Sequence, residues 1–477
     1  MNPVFLPFTR LGFPVAGLGL ILLIGGVPQP ASAQFAAHDP GVRGGAAGAG
    51  GPLSGLTQDE LTFFNAGSAT FQTAETIAGN NGGLGPRFNL DQCSGCHSQP
   101  AVGGTSPSVN PQPNIAVADG AKNTVPLFVK PNGPVVEARF KLNPDGSPDG
   151  GVHSLFVISG RNDGTGNASG CTAVQENFNA QFAAGNISLR IPTPVFGGGL
   201  IEAIADSAIM ANLTANQTAK SQMGISGHPN RTSSFDINGT PNRSGNTGTI
   251  TRFGWKAQNP SLLMFAGEAY NVEMGISNEL FPTEREENPT CQYSVVPNDS
   301  TTVDGFQGLT VPNGISDIER FAFFMKFLAP PTPSPNTPGG ATSIANGQQN
   351  FTNVGCSLCH TPSLQTSNVS QFAATTNITA NLFSDLVLHH MGPNLADGIA
   401  QGGAAGDEFR TAPLWGLGQR IFLLHDGRTT DLVRAINAHS SAGNSQYGPS
   451  EANQVIAAFN ALPVSAQQDL LNFLRSL

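Results

Sequence analysis

The sequence predicts a mainly α-helical fold in two successive helical domains, with long loop-rich insertions and a few short strands. Three observations predict it. Two capping boxes, Thr57-Gln-Asp-Glu60 and Ser316-Asp-Ile-Glu319, each open an apolar helix, the hydroxyl serving the third helical N–H and the carboxylate reaching back. The run Ala329-Pro-Pro-Thr-Pro-Ser-Pro-Asn-Thr-Pro-Gly-Gly340 has the proline density of a semi-rigid extended linker, so residues 34–328 and 341–477 divide there. One motif, Cys-x-x-Cys-His, occurs once on each side of that linker.

Residues 1–33 read as a signal peptide. Arg10 supplies a positive start, Leu11 to Val27 is apolar but broken by Gly and Pro, and Ala31-Ser-Ala33 is a small-x-small site before Gln34. The apolar core Val15 to Ile24 is too short to span a bilayer, which argues for cleavage and a periplasmic or secreted mature protein. Residues 34–56 are rich in Gly and Ala and are expected to be poorly ordered. The helix from Thr57 should run through Leu61, Phe63 and Phe64, and Gly82 to Pro86 breaks the chain before the first Cys-x-x-Cys-His. Phe156 to Ile158 and Leu189 to Ile191 read as short strands, and Ile201 to Leu213 as a helix. Past the linker, one helix enters the second motif. A terminal helix, capped by Ser465-Ala-Gln-Gln468, presents Leu470, Leu471, Leu474 and Leu477 on one face.

Charged residues are 11% of the 477, well under the roughly 25% of an average soluble domain, while Gly (58) and Pro (36) are plentiful. Solubility must rest on neutral polar groups. A formal charge of −10 and the lack of any Lys/Arg run exclude a nucleic-acid footprint. Four of the six cysteines belong to the two motifs. Cys171 and Cys291 remain, as a bridge in an oxidising compartment or as two unrelated buried thiols.

Cys93-Ser-Gly-Cys96-His97 and Cys356-Ser-Leu-Cys359-His360 have the spacing of covalent haem attachment. Two thiols three residues apart reach the two vinyl groups of one porphyrin, and the adjacent His presents an imidazole nitrogen to the iron. Zinc would need a fourth ligand that neither site offers clearly. Two covalently bound c-type haems are therefore expected, with His97 and His360 as iron ligands. Candidates for the remaining axial positions are His38, His153, His228, Met264 and Met274 in the N-terminal half, and His389, His390, Met391, His425 and His439 in the C-terminal half.

Several further segments carry a resemblance: Gly85-Pro-Arg-Phe-Asn89, Arg252-Phe-Gly-Trp-Lys-Ala257, Val272-Glu-Met-Gly275, Phe409-Arg-Thr-Ala-Pro-Leu-Trp-Gly416 and Leu424-His-Asp-Gly427. With the two Cys-x-x-Cys-His motifs, these make nearly all of residues 57–477 similar to the bacterial di-haem cytochrome c peroxidase superfamily, in its di-haem oxidoreductase, putative peroxidase branch. The resemblance implies two cytochrome c-like helical domains. The N-terminal haem would be peroxidatic, fed by the C-terminal one with electrons from a small one-electron donor protein or other redox carrier. It also raises a bound Ca2+ at the domain interface, for which no ligand set is legible.

Two residue roles follow from the resemblance. Glu273 matches the glutamate on the peroxidatic side of the first haem, where a carboxylate can move the peroxide proton; Glu268 is its rival. Counting from His425 as the family counts from its His-Asp-Gly motif reaches His439, where the peroxidases carry a Met ligand, with Met391 and His390 as rivals. Trp255 and Trp415, the two tryptophans, each lie in a shared motif and could stand between the haems or in the core. Trp255 is displaced by two residues from the family's electron-relaying Trp, and Val272 replaces a Pro-x pair. The alternatives to a peroxidase are a purely electron-carrying di-haem cytochrome and a MauG-like enzyme or oxygenase acting on a protein or organic substrate.

Overall fold

Thr57 caps helix α1 (Gln58–Phe71) and Ser316 caps helix α5 (Asp317–Phe327), each with both hydrogen bonds of the capping box in place. The computed structural model describes residue 1 and residues 36–76, 83–116, 123–158, 172–231, 236–237, 240–241, 250–285, 291 and 314–477. Residues 2–33 of the expected signal peptide and Cys171 lie outside these. Cys291 is buried and disulfide-bonded, in keeping with a bridge rather than a buried thiol.

Between α1 and α5 the helices include α2 (Gly198–Ala203), α3 (Asp206–Thr214) and α4 (Leu262–Met274). The helices after α5 include α6 (Gly340–Asn353), α7 (Leu432–Ala438) and α8 (Val464–Ser476). The strands are short and include β1 (Arg87–Phe88), β2 (Glu137–Phe140), β3 (Val152–His153), β4 (Phe156–Val157), β5 (Ile187–Arg190), β6 (Leu388–His390) and β7 (Glu408–Arg410). β3, β2 and β5 form an antiparallel sheet in that order, while β1 pairs with β4 and β6 with β7.

The two halves build the same arrangement from the same local pattern. In the first, α1 packs on α5, with Phe64 and Phe71 at 5.5 and 4.9 Å from Phe324 between ring centroids. In the second, α6 packs on α8, with Phe351 at 5.5 Å from Phe473. Each pair closes at a glycine four residues before a phenylalanine. A Cβ on Gly67 would meet the Arg320 carbonyl at 2.2 Å, and one on Gly347 the Asp469 carbonyl at 2.0 Å. Only glycine allows the backbones so near, and the following Phe then reaches the motif histidine: Phe71 to His97 at 6.0 Å, Phe351 to His360 at 6.4 Å. One core gathers residues mostly before Leu328 with Leu382, Leu386 and Trp415; a second gathers Phe351, Phe459 and Leu470 to Leu477.

Three sequence expectations need correction. Residues 37–56 are not loose: Asp39 takes the Arg475 guanidinium through both carboxylate oxygens (2.8 and 2.6 Å), Arg43 N–H donates to Gly418, and Leu53 N–H to Phe327. Gly- and Ala-rich composition loses there to a buried ion pair. Residues 201–213 are not one helix, because Ile204 and Ala205 are extended between α2 and α3. The buried Arg252 guanidinium takes the Ile201 and Ile204 carbonyls and the Asp206 carboxylate, holding the break open. The terminal helix starts at Val464, after Pro463, with no side-chain cap from Ser465. Its apolar face, Leu470, Leu471, Leu474 and Leu477, is buried as expected. Strands do form at 156–157 and 187–190. Among the described residues no helix is long and apolar enough to cross a membrane.

Candidate functional site

Two cavities are lined by the Cys-x-x-Cys-His motifs, one by each. Cys93, Cys96 and His97 line the first, with about 1120 Å³ of empty space counting its open mouth; Cys356, Cys359 and His360 line the second, with about 1550 Å³. The residues present fit haem on three counts. His97 Nδ1–H donates to the Gly104 carbonyl and His360 Nδ1–H to the Phe383 carbonyl, each at 3.0 Å, which leaves Nε2 as the metal-facing nitrogen. Burial pushes both imidazoles down to about 4, so they are neutral, as ligation requires. Finally, Arg410 and Arg420 line the second cavity, both pushed down to about 10 by burial and neither in an ion pair among the described residues. Unpaired buried guanidinium groups are costly unless an anion joins them, and a porphyrin brings two carboxylates.

The first cavity is acidic on one wall. Glu273, near the end of α4, accepts from Asn89 Nδ2 at 2.7 Å. This contact joins two of the segments singled out in the sequence. Gly85 N–H donates to the Met274 carbonyl and Asn89 N–H to the Glu273 carbonyl, and a Cβ on Gly85 would strike the Gly275 carbonyl at 2.0 Å. Glu268 also lines the cavity but is held by Asn259 at 2.5 Å. Sequence reasoning missed Glu137, which lines the same wall from β2, hydrogen-bonds the Glu273 carboxyl and accepts from Arg139 Nε at 2.6 Å. Burial and then the Glu137 charge push the Glu273 carboxyl well above the usual range. Of the axial candidates in this half only Met274 lines the cavity. His153 pairs with Asp149 and Glu176, and His228 with Glu408.

In the second cavity His439 caps the end of α7, its Nδ1–H donating to the Ala435 carbonyl at 2.8 Å, so its Nε2 too is left for a metal. His439 lines the cavity with His360, as do Met391, His389 and His425. His390 does not: its half-exposed ring pairs with Asp407 and Glu408. Successive residues on β6 face opposite ways, so His389 turns inward between Asp385 (3.0 Å) and Glu451 (2.7 Å) while His390 turns out. Cys359, Asp385 and His389 thus bring three donor atoms together, but the thiol belongs to the haem motif and both ring nitrogens are taken.

Trp255 lines both cavities, and Trp415 lines neither. The Trp255 indole N–H donates to the Ile191 carbonyl at 2.9 Å, and its backbone carbonyl accepts from Arg410 N–H. Its ring lies 6.3 Å from that of His425, which stacks on Phe409 at 4.4 Å. The wall between the cavities is therefore built from three of the segments singled out in the sequence.

A family model described as "Di-haem oxidoreductase, putative peroxidase" matches residues 144–477. Among curated protein sequences none matches the chain. Solved structures similar to it include a MauG-like protein associated with microbial copper homeostasis (15% identity, 60% of this chain and 90% of that one, TM-score 0.28). Others are the diheme peroxidase BthA from Burkholderia thailandensis (13%, 60% and 86%, 0.29) and the hydrazine synthase of Kuenenia stuttgartiensis (15%, 57% and 88%, 0.22).

Proposed function

The chain belongs to the di-haem oxidoreductase, putative peroxidase family, which carries two haems, and from that premise we propose that it is an exported enzyme reducing hydrogen peroxide. Cys93 and Cys96, and Cys356 and Cys359, would hold the two haems as thioethers, and His97 and His360 would offer their Nε2 atoms to the iron. Bound haem supplies the redox-active iron at which peroxide is reduced. The single observation that carries the peroxidase assignment is Glu273, a part-buried carboxyl in the cavity of His97 and pinned by Asn89. There it can move a proton between the two oxygens of a peroxide, which cleavage to water requires. His439, which lines the cavity of His360, would supply a second nitrogen ligand there and leave that haem to take in electrons. Trp255, common to both cavities, is the group through which they communicate. A small one-electron donor protein serves as partner outside the cytoplasm, after removal of residues 1–33. The repeated Gly-x-x-x-Phe helix pairs support two cytochrome c-like domains joined by the proline-rich segment.

The test is consumption of hydrogen peroxide by the holoprotein, followed as oxidation of a reduced small redox protein. Stoichiometric donor oxidation is expected, two donors per peroxide. A holoprotein that accepts electrons from the donor but consumes no peroxide is an electron carrier instead.

A further inference from the structure

Two carboxyls, not one, face the first cavity in mutual contact, and they differ in how the fold holds them. Glu137 stands on β2, directly opposite Arg190 of β5, and its Oε1 takes Arg139 Nε at 2.6 Å. Arg139 is fixed in turn by the Gly150 carbonyl at 2.9 Å. Glu273 arrives from α4 on the other side, and its fixed partner is neutral, the Asn89 amide. The remaining charged group on this wall is Glu268, tied to Asn259. Two carboxyls joined by a hydrogen bond must hold a proton between them, so the pair carries one.

We propose that Glu137 is the second acid–base group of this cavity, the base that receives a proton from peroxide, while Glu273 is the acid that gives one to the departing oxygen. The proposal rests on the peroxidase assignment and divides the labour within it. Both carboxyls are part-buried on the cavity wall, and that desolvation raises them. The Arg139 and Arg190 charges outweigh that for Glu137 and hold it below the usual range, whereas burial and the Glu137 charge send Glu273 well above. In the resting site Glu137 is therefore the carboxylate and Glu273 the carboxylic acid, its proton lying on the hydrogen bond between them. A bound H2O2 loses one proton to Glu137. As the O–O bond breaks, the outer oxygen takes the Glu273 proton and leaves as water. Two electrons from the one-electron donor, delivered singly, and two protons from solvent convert the other oxygen to a second water. The pair still holds one proton, now on Glu137, and its return along the shared hydrogen bond restores the starting state.

Infrared spectroscopy of the resting holoprotein tests the protonation directly. The parent should show a buried, deuterium-sensitive carboxylic acid C=O band that is lost in Glu273→Gln. Glutamine imitates the protonated acid, so that variant should keep the parent's Tm, whereas Glu137→Gln strands Arg139 and should lower it. In peroxide turnover Glu137→Gln should fall about 10²-fold, Glu137→Asp should recover part of the loss, and the double Gln variant should be no slower than the slower single one. If Glu137→Gln folds poorly, the infrared band and Glu137→Asp still decide. No C=O loss in Glu273→Gln, or parent-like turnover by Glu137→Gln while Glu273→Gln is slow, overturns the division of labour and leaves the peroxidase assignment standing. A parent that consumes no peroxide overturns that assignment and this one with it.

Discussion

Glu273→Gln should slow peroxide reduction by about two orders of magnitude or more, the usual worth of a positioned proton-transfer group. The substitution preserves size and polarity, and its amide can still meet Asn89 and Glu137, the two partners of the native carboxyl. The fold around Gly85 and Gly275 is set by backbone contacts that glutamine leaves alone. Both haems should therefore bind and accept electrons as in the parent, and the loss should fall on the peroxide step. Rapid-mixing measurement of peroxide consumption reads it. A Glu273→Gln protein as fast as the parent ends the acid–base role.

His439→Ala should convert the second haem from a closed centre into one that binds added imidazole or carbon monoxide. The His439 ring is part-buried, aimed by the Ala435 carbonyl, and shares its cavity with His360. Two imidazoles lack the thioether that raises the potential of a His/Met centre, so the parent should be low-spin, show no Met–iron charge-transfer band and titrate lower than a His/Met site. Absorption and EPR spectra of parent and variant check all three. An unchanged variant spectrum places the ligand elsewhere, and Met391, which lines the same cavity, is then next.

What the sequence made legible was local. The capping boxes at Thr57 and Ser316 appear where expected because their hydrogen bonds span three residues. The haem motifs were plain because their chemistry needs a fixed spacing. What stayed hidden depends on distant partners. Asp39 orders residues 37–56 through Arg475, 436 positions away, and the break between α2 and α3 is held by Arg252. Glu137 had no signal of its own, as a single acid in a loop-rich insertion. The register of β2 against β5 and its meeting with α4 give it a role. The choice between His389 and His390 was within reach, since alternation along Leu388–His390 sends adjacent histidines to opposite faces. The Gly-x-x-x-Phe pairs at Gly67–Phe71 and Gly347–Phe351 were equally readable as a repeat preceding each haem motif.

Everything above rests on two haems, one covalently attached at each Cys-x-x-Cys-His. Mass spectrometry of the denatured, purified protein measures this most directly. The account predicts the polypeptide mass plus two haems, and plus one haem when Cys93 and Cys96 are both replaced by Ala. A parent mass with a single haem, or with haem that departs on denaturation, would contradict it.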